Sequence, residues 1–184
     1  MIRFATEADI PAILDIYGPY VLNTCYSFEY TVPTLEEFTR RFREITKQFP
    51  WLVWEEDGMV LGYAYGSAPF SRAAYQWSAE SSIYLAPQAQ GKGIGRQLYA
   101  ALEEVMKALG YRKTYAIITT ANESSLAFHK AVGFQFVAAM PECGYKLGQL
   151  HGITWLEKAL NSDEVLSQFP KSVRSVVNLY RKFQ

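Results

Sequence analysis

Apolar residues at Ile10, Ile13, Leu14, Tyr17, Tyr20 and Val21 recur every three or four positions, which gathers them on one face of an α-helix. Just ahead of them, Thr6 and Asp9 have the spacing of a capping box. A second helix is predicted from Thr34, with Glu37 as its box partner and Leu35, Phe38, Phe42 and Ile45 as its buried stripe. Residues 2–5 form a short apolar segment, and the β-rich runs 51–55 and 59–67 meet around Asp57 and Gly58, a strong hairpin signal. Residues 77–85 read as a strand that stops before Pro87, which has no N–H to offer a ladder. Ile94, Leu98, Ala101, Leu102, Val105 and Leu109 predict a long amphipathic helix, with Gly110 as its stop.

Residues 114–119 are another strand, Asn122 caps a short helix that Gly133 ends, and 134–139, 145–147 and 153–156 read as the last strands. From Asn161 the composition turns polar, and Val173, Val176, Val177 and Tyr180 predict a final amphipathic helix. The order βααβββαβαββ mixes hairpins with one strand–helix–strand unit, so the expected class is α+β with a mixed sheet. Residues 1–160 are expected to form the domain, and 161–184 a helical extension packed on it or on a second subunit. The connection at 25–33 reads Cys-Tyr-Ser-Phe-Glu-Tyr-Thr-Val-Pro, and one so aromatic either packs under the core or lines a pocket.

Composition narrows the function. A chain of 184 residues that is 49% hydrophobic and 20% charged reads as one soluble globular domain. Lys plus Arg and Asp plus Glu are 18 each, which argues against a nucleic-acid binder resting on phosphate neutralisation, although a local basic patch is compatible. No apolar run approaches membrane-spanning length, and the mixed, acidic start from Met1 to Asp9 does not read as a signal peptide. Cys25 and Cys143 lie far apart without metal-ligand spacing and are read as free thiols in a reducing cytoplasm.

The chemistry centres on the stretch Gln90, Gly91, Lys92, Gly93, Ile94, Gly95, Arg96 at the start of the long helix. Alternating glycines let successive N–H groups approach a ligand, and the helix N-terminus adds donors and partial positive charge, so the stretch reads as a phosphate cradle. It is not a Walker loop, because Gly93 follows Lys92, and its glycine spacing does not fit a dinucleotide fingerprint. In the strand before it, alternation puts Glu80, Ser82 and Tyr84 on one face. A carboxylate there is exposed, paired or used; partial burial would lift its pKa into the range of a general base. Asn122, Ser125 and His129 share one face of the short helix. His129 has no second histidine or thiolate at ligand spacing, so a metal site is not expected.

Together, Phe28-Glu29, Gly62-Tyr63-Ala64-Tyr65, Arg72-x-x-Tyr75-x-Trp77, the run from Glu80 to Leu85, Gly93-Ile94-Gly95 and Asn122-x-x-Ser125-x-x-x-His129-x-x-x-Gly133-Phe134 resemble the phosphinothricin (methionine sulfoximine) N-acetyltransferase branch of the GCN5-related N-acetyltransferases. The resemblance covers about residues 1–159. It implies a mostly antiparallel sheet splayed into a V, with helices on both faces and acetyl-CoA bound between strands 77–85 and 114–119. It also implies Glu80 as general base, His129 as the second catalytic residue, Ile83, Tyr84 and Leu85 along pantetheine, Gly91, Lys92, Gly93, Ile94, Gly95 and Arg96 at the pyrophosphate, and Asn122 as a further cofactor contact. A homodimer is implied as well. Where relatives often carry Trp-x-Asp, this chain has Leu150, His151 and Gly152, and the loop around Phe70 and Arg72 has one basic residue where some relatives have two.

The expected function is acetyl-CoA-dependent N-acetylation of the α-amino group of a small amino-acid-like substrate, with no metal. Arg72 is expected to hold the acceptor's acidic end, and Tyr26, Phe28 and Tyr75 to wall its apolar stem. The alternatives are acetylation of a polyamine, peptide or protein amine, and a non-catalytic acyl-CoA-binding sensor.

Overall fold

A computed structural model describes residues 1–161 and 169–176. Seven strands, β1 (Ile2–Phe4), β2 (Trp51–Glu56), β3 (Met59–Ser67), β4 (Ser78–Leu85), β5 (Lys113–Thr119), β6 (Gln135–Lys146) and β7 (Gln149–Ala159), form one sheet in the order β1-β2-β3-β4-β5-β7-β6. Every neighbouring pair is antiparallel except β4 with β5. The sheet is mixed and mostly antiparallel, in the α+β class expected.

Period-two alternation sends adjacent side chains to opposite faces. Val53 packs with α1 (Ile10–Asn23) and α2 (Leu35–Ile45) through Ile13, Tyr17, Phe38 and Phe42. Its neighbour Leu52 packs with α3 (Ile94–Leu109) through Leu98, Leu102 and Met106. Beside α3, α4 (Glu123–Ala131) lays Leu126 and Phe128 against Tyr99, Ala116, Ile118 and Leu156. Helices therefore cover both faces of the sheet. Asp57 and Gly58 both take left-handed φ, which turns β2 tightly into β3 as the sequence predicts.

Several details differ from the expectation. The Thr6 to Asp9 box heads a short 3-10 turn before α1, with the Thr6 N–H donating to the Asp9 carboxylate at 2.7 Å. Leu35, expected in the α2 stripe, is 53% exposed, because it is the first residue after the Thr34 cap and precedes the packed turns. The last strands are longer than the periodicity suggests. Residues 140–144, expected as a loop, are a bulge inside continuous β6, and Pro141 sits there, where a missing N–H breaks no regular rung. Leu147, expected in a strand, is half of the tight turn into β7, with φ of 50° beside 80° at Gly148.

Val173 and Val176 are buried in the α3 core with Leu160, and the Lys171 N–H donates to the Leu109 carbonyl at 2.8 Å. A 3-10 turn, Val173–Ser175, stands at the start of the expected final helix. The rest of that helix, Val177 and Tyr180, lies outside the described residues.

Candidate active site

β4 and β5 share three rungs, the last joining Glu80 to Tyr115, and then part. Past that point β4 stays with β3 to Leu85, and β5 stays with β7 to Thr119. Between them opens a cleft of about 80 Å³, lined by residues 81–84 of β4, residues 116–118 of β5, and Asn122, Ser125 and His129, with Tyr20 and Tyr26 from the α1 side.

The glycine loop lies at the open end. Gly91 and Gly93 have φ of 73° and 77°, a conformation costly to other residues, and a Cβ on either would meet no atom within 4 Å. Gly93 precedes α3 without a side-chain cap, and no acidic residue occupies the first turn. The first intrahelical bond runs from the Gln97 N–H to the Gly93 carbonyl, so the N–H groups of Ile94, Gly95 and Arg96 have no partner in the helix. Exposed Lys92 and Arg96 add charge of the same sign. This donor set fits a pyrophosphate without a metal. Gly95 faces inward: it is buried, and a Cβ there would make ordinary contacts with Leu85, Ile83 and Phe128 at 3.5–3.6 Å. Ile94 likewise turns its side chain into the core.

Of the three residues expected along pantetheine, Ile83 and Tyr84 line the cleft. Leu85 packs its side chain against the core, while its carbonyl accepts from Tyr20 Oη at 2.7 Å. Asn122 caps α4, its Oδ1 accepting from the Ser125 N–H at 3.2 Å, and also lines the cleft.

Glu80 shares the α1 face with Tyr84, while its neighbours Ala79 and Ser81 turn toward α3. It occupies the last shared rung, at the closed end of the cleft and just outside its lining. Burial lifts its carboxyl above the ordinary value of 4.5, and no hydrogen-bond or ionic partner faces it among the described residues. A carboxylate so placed is suited to taking a proton.

His129 approaches from the opposite face, on α4. Its Nδ1–H donates to the Ser125 carbonyl at 2.8 Å, which leaves Nε2 to accept from Tyr99 Oη at 3.0 Å. Tyr99 in turn lies 2.5 Å from Ser81 Oγ, to which Thr114 Oγ1 donates at 3.1 Å. Burial holds the imidazole below its ordinary pKa and pushes the Tyr99 phenol above its own, so the chain is neutral at pH 7. Thr114, Ser81 and Tyr99 were not singled out from sequence. The available signal was Tyr99 at a core position of α3, because a buried phenol needs a partner.

The four expected acceptor residues divide. Tyr26 lines the cleft, and Phe28 stands on the same 24–33 loop with its ring against Gly144. Arg72 and Tyr75 do not line it: the 68–77 loop leaves β3 beside Glu80, at the closed end, and Arg72 is exposed in a separate depression of about 320 Å³ with Phe49 and Tyr111. Aromatic rings tie that loop to the closed end. Phe70 packs on Tyr75 at 4.6 Å, on Trp155 at 5.8 Å and edge-on to Tyr115, the rung partner of Glu80.

The acetyltransferase (GNAT) domain family matches residues 2–155. The phosphinothricin N-acetyltransferase of Streptomyces viridochromogenes is 32% identical over 178 residues, 97% of this chain and 95% of the relative. An L-methionine sulfoximine/L-methionine sulfone acetyltransferase of Salmonella typhimurium is 34% identical over 161 residues, 87% of this chain and 94% of the relative. Among solved structures, a phosphinothricin acetyltransferase from Sinorhizobium meliloti in complex with acetyl-CoA superposes with a TM-score of 0.87 at 37% identity, covering 94% of this chain and 96% of that one. With a parted parallel strand pair, a glycine loop at its open end and matches along nearly the whole domain, the chain belongs to the GNAT acetyltransferase family.

Proposed function

We propose that this acetyltransferase acetylates the α-amino group of a small amino-acid-like acceptor of the phosphinothricin, methionine sulfoximine or methionine sulfone type. One observation carries the reading: Glu80, half-buried and unpaired among the described residues, stands at the closed end of the cleft, between the glycine loop and the aromatic group around Phe70. The names of the relatives supply the acceptor class.

When bound, acetyl-CoA supplies an activated acyl thioester. The N–H groups at the start of α3 hold its pyrophosphate, with Lys92 and Arg96 beside them. Asn122, Ile83 and Tyr84 line the path of the pantetheine arm, and Leu85 stands at its mouth, where β4 ends. Glu80 takes a proton from the acceptor ammonium, directly or through one water, so that a neutral amine attacks. His129 serves the thiol side. As a neutral imidazole held at Nε2 by Tyr99, it keeps its Nδ1 edge 3.3 Å from Ser125 Oγ on the cleft wall, and this polar edge faces the departing thiolate, which takes up the second proton that the amine nitrogen loses on acylation. The 68–77 loop borders the closed end through Phe70, and in this reading Arg72, exposed in its own depression, reaches from that loop to the carboxylate or phosphinate of the acceptor, with Tyr26, Phe28 and Tyr75 about its stem.

We further place the enzyme in the cytoplasm, where Cys25 and Cys143 stay as thiols, and as a homodimer. Support for the dimer is the outer edge of the sheet, where Phe136 is 63% exposed and Leu150 55% exposed. Turnover of acetyl-CoA against a panel of amino acids and their decarboxylated amines tests the function. Preference for the amino acids supports it; equal use of the amines replaces it with a polyamine or protein-amine acceptor.

A further inference from the structure

We propose that Lys146, at the tip of the β6–β7 hairpin, is a positioning residue for acceptor recognition: it seats the 24–33 loop that carries Tyr26 and Phe28. This rests on the reading of that loop as the acceptor wall.

Lys146 is only 3% exposed, although lysine is almost never fully buried unless paired. No carboxylate lies in ion-pair range of its ammonium among the described residues. Among the described residues, its ammonium makes one hydrogen bond, 2.5 Å to the Ser27 carbonyl. Such a group is expensive to bury, and burial holds its pKa below the ordinary lysine value. A solvated surface lysine would carry neither feature.

The same strand grips the loop twice more. Tyr30 Oη donates to the Tyr145 carbonyl at 2.6 Å, and Gly144 leaves a socket for Phe28, where a Cβ would stand 2.3 Å from the ring. On its other side the loop is anchored to the domain. Thr119 Oγ1 donates to the Cys25 carbonyl at 2.8 Å, Tyr17 Oη pairs with Ser27 Oγ at 2.7 Å, and Arg41 pairs with Glu29. These anchors fix residues 25, 27 and 29 from the end of β5, from α1 and from α2. Only the hairpin presses from outside, and it presses next to Tyr26 and on Phe28. Lys146 therefore sets how closely the two aromatic rings approach the cleft, without belonging to the cofactor surface.

The test is steady-state kinetics at saturating acetyl-CoA with an amino-acid acceptor, CoA affinity by calorimetry, and amide exchange of residues 24–33. It uses Lys146→Met, Lys146→Arg, Gly144→Ala and the exposed hairpin control Gln149→Ala. Lys146→Met is expected to raise acceptor KM about tenfold, the effect of losing one hydrogen bond to a charged group, Gly144→Ala to raise it as well by pushing the Phe28 ring out of its socket, and both to leave CoA affinity within twofold. Exchange of the loop amides should quicken. Lys146→Arg, which keeps a cation, should fall nearer wild type, and Gln149→Ala should match it. Faster loop exchange with unchanged acceptor KM overturns the proposal, as does a loss of CoA affinity in step with KM. Equal use of amino acids and decarboxylated amines by the wild type would instead overturn the acceptor class, and the exchange measurement would still report whether Lys146 seats the loop.

Discussion

Tyr99→Phe removes one oxygen atom and tests the chain behind His129. Ser81 Oγ keeps two partners after the change, Thr114 Oγ1 and the Tyr115 carbonyl at 3.2 Å, so it is not stranded. Nε2 of His129 loses its only donor in a buried setting. One buried acceptor left without a partner costs about 1–3 kcal/mol, and a chain of this size loses roughly 2–4 °C of melting temperature per kcal/mol. The expected fall is therefore about 2–12 °C. The hydrogen bond from Tyr99 favours the neutral imidazole, so its loss should raise the His129 pKa toward the ordinary 6.5, with burial still holding it below. If protons reach the thiol side through His129, turnover falls while CoA affinity stays. Calorimetry, imidazole titration by NMR and single-turnover kinetics read the three effects separately. A variant with unchanged melting temperature and unchanged turnover would refute the chain as a working unit. A lower melting temperature with full turnover would leave it a packing device.

Gly93→Ala places a Cβ in the open space before α3 and strains a left-handed backbone, so CoA affinity should drop in calorimetry while the fold persists; unchanged affinity would remove the loop from the cofactor site. Glu80→Gln should lower turnover by ~10²–10⁴, and stopped assays across pH check it. Because burial raises the Glu80 pKa, the working carboxylate is lost as pH falls through that raised value, so the acid limb of wild-type kcat/KM should lie above the ordinary glutamate range and change in the variant. Arg72→Lys keeps the charge but not the two-pronged geometry, and should raise KM for carboxylate-bearing acceptors without altering CoA affinity.

Much of this was legible from residue order. Alternation in β4 put Glu80 and Tyr84 on one face, and the glycines announced the turn before α3, because both signals are local. What escaped depends on contacts distant in sequence. Tyr99 looks like one more core position until Ser81 and His129, 18 and 30 residues away, are brought to it. Residues 140–144 carry a proline and a glycine, which read as a loop when the partner strand that holds the bulge is unseen. Gly95 sits in the same motif as Gly93 but faces the core, a difference that the Leu85 and Phe128 side chains disclose.

The site follows from one departure in the sheet. Among the pairs, only β4 with β5 is parallel, and the connection between them carries α3, whose N-terminus lies just past the end of β4. Had those two strands stayed paired to their ends, their backbone groups would be used up and the donors of α3 would face a closed edge. They part after Glu80 and Tyr115. The freed N–H and C=O groups line a cleft open to water, so leaving them unpaired costs little in the free protein, and an extended ligand bearing amides can replace that water along the strands at roughly 0.5–1.5 kcal/mol per bond. Such a ligand runs toward Glu80, because the last shared rung closes the cleft there. The same parting lets His129, from the α4 face, and Glu80, on the α1 face, address one gap from opposite sides. Glu80 thus stands where an acyl group carried down the cleft must stop, the position that the proposed general base requires, and the loops bearing Phe28 and Phe70 flank the space proposed for the amine.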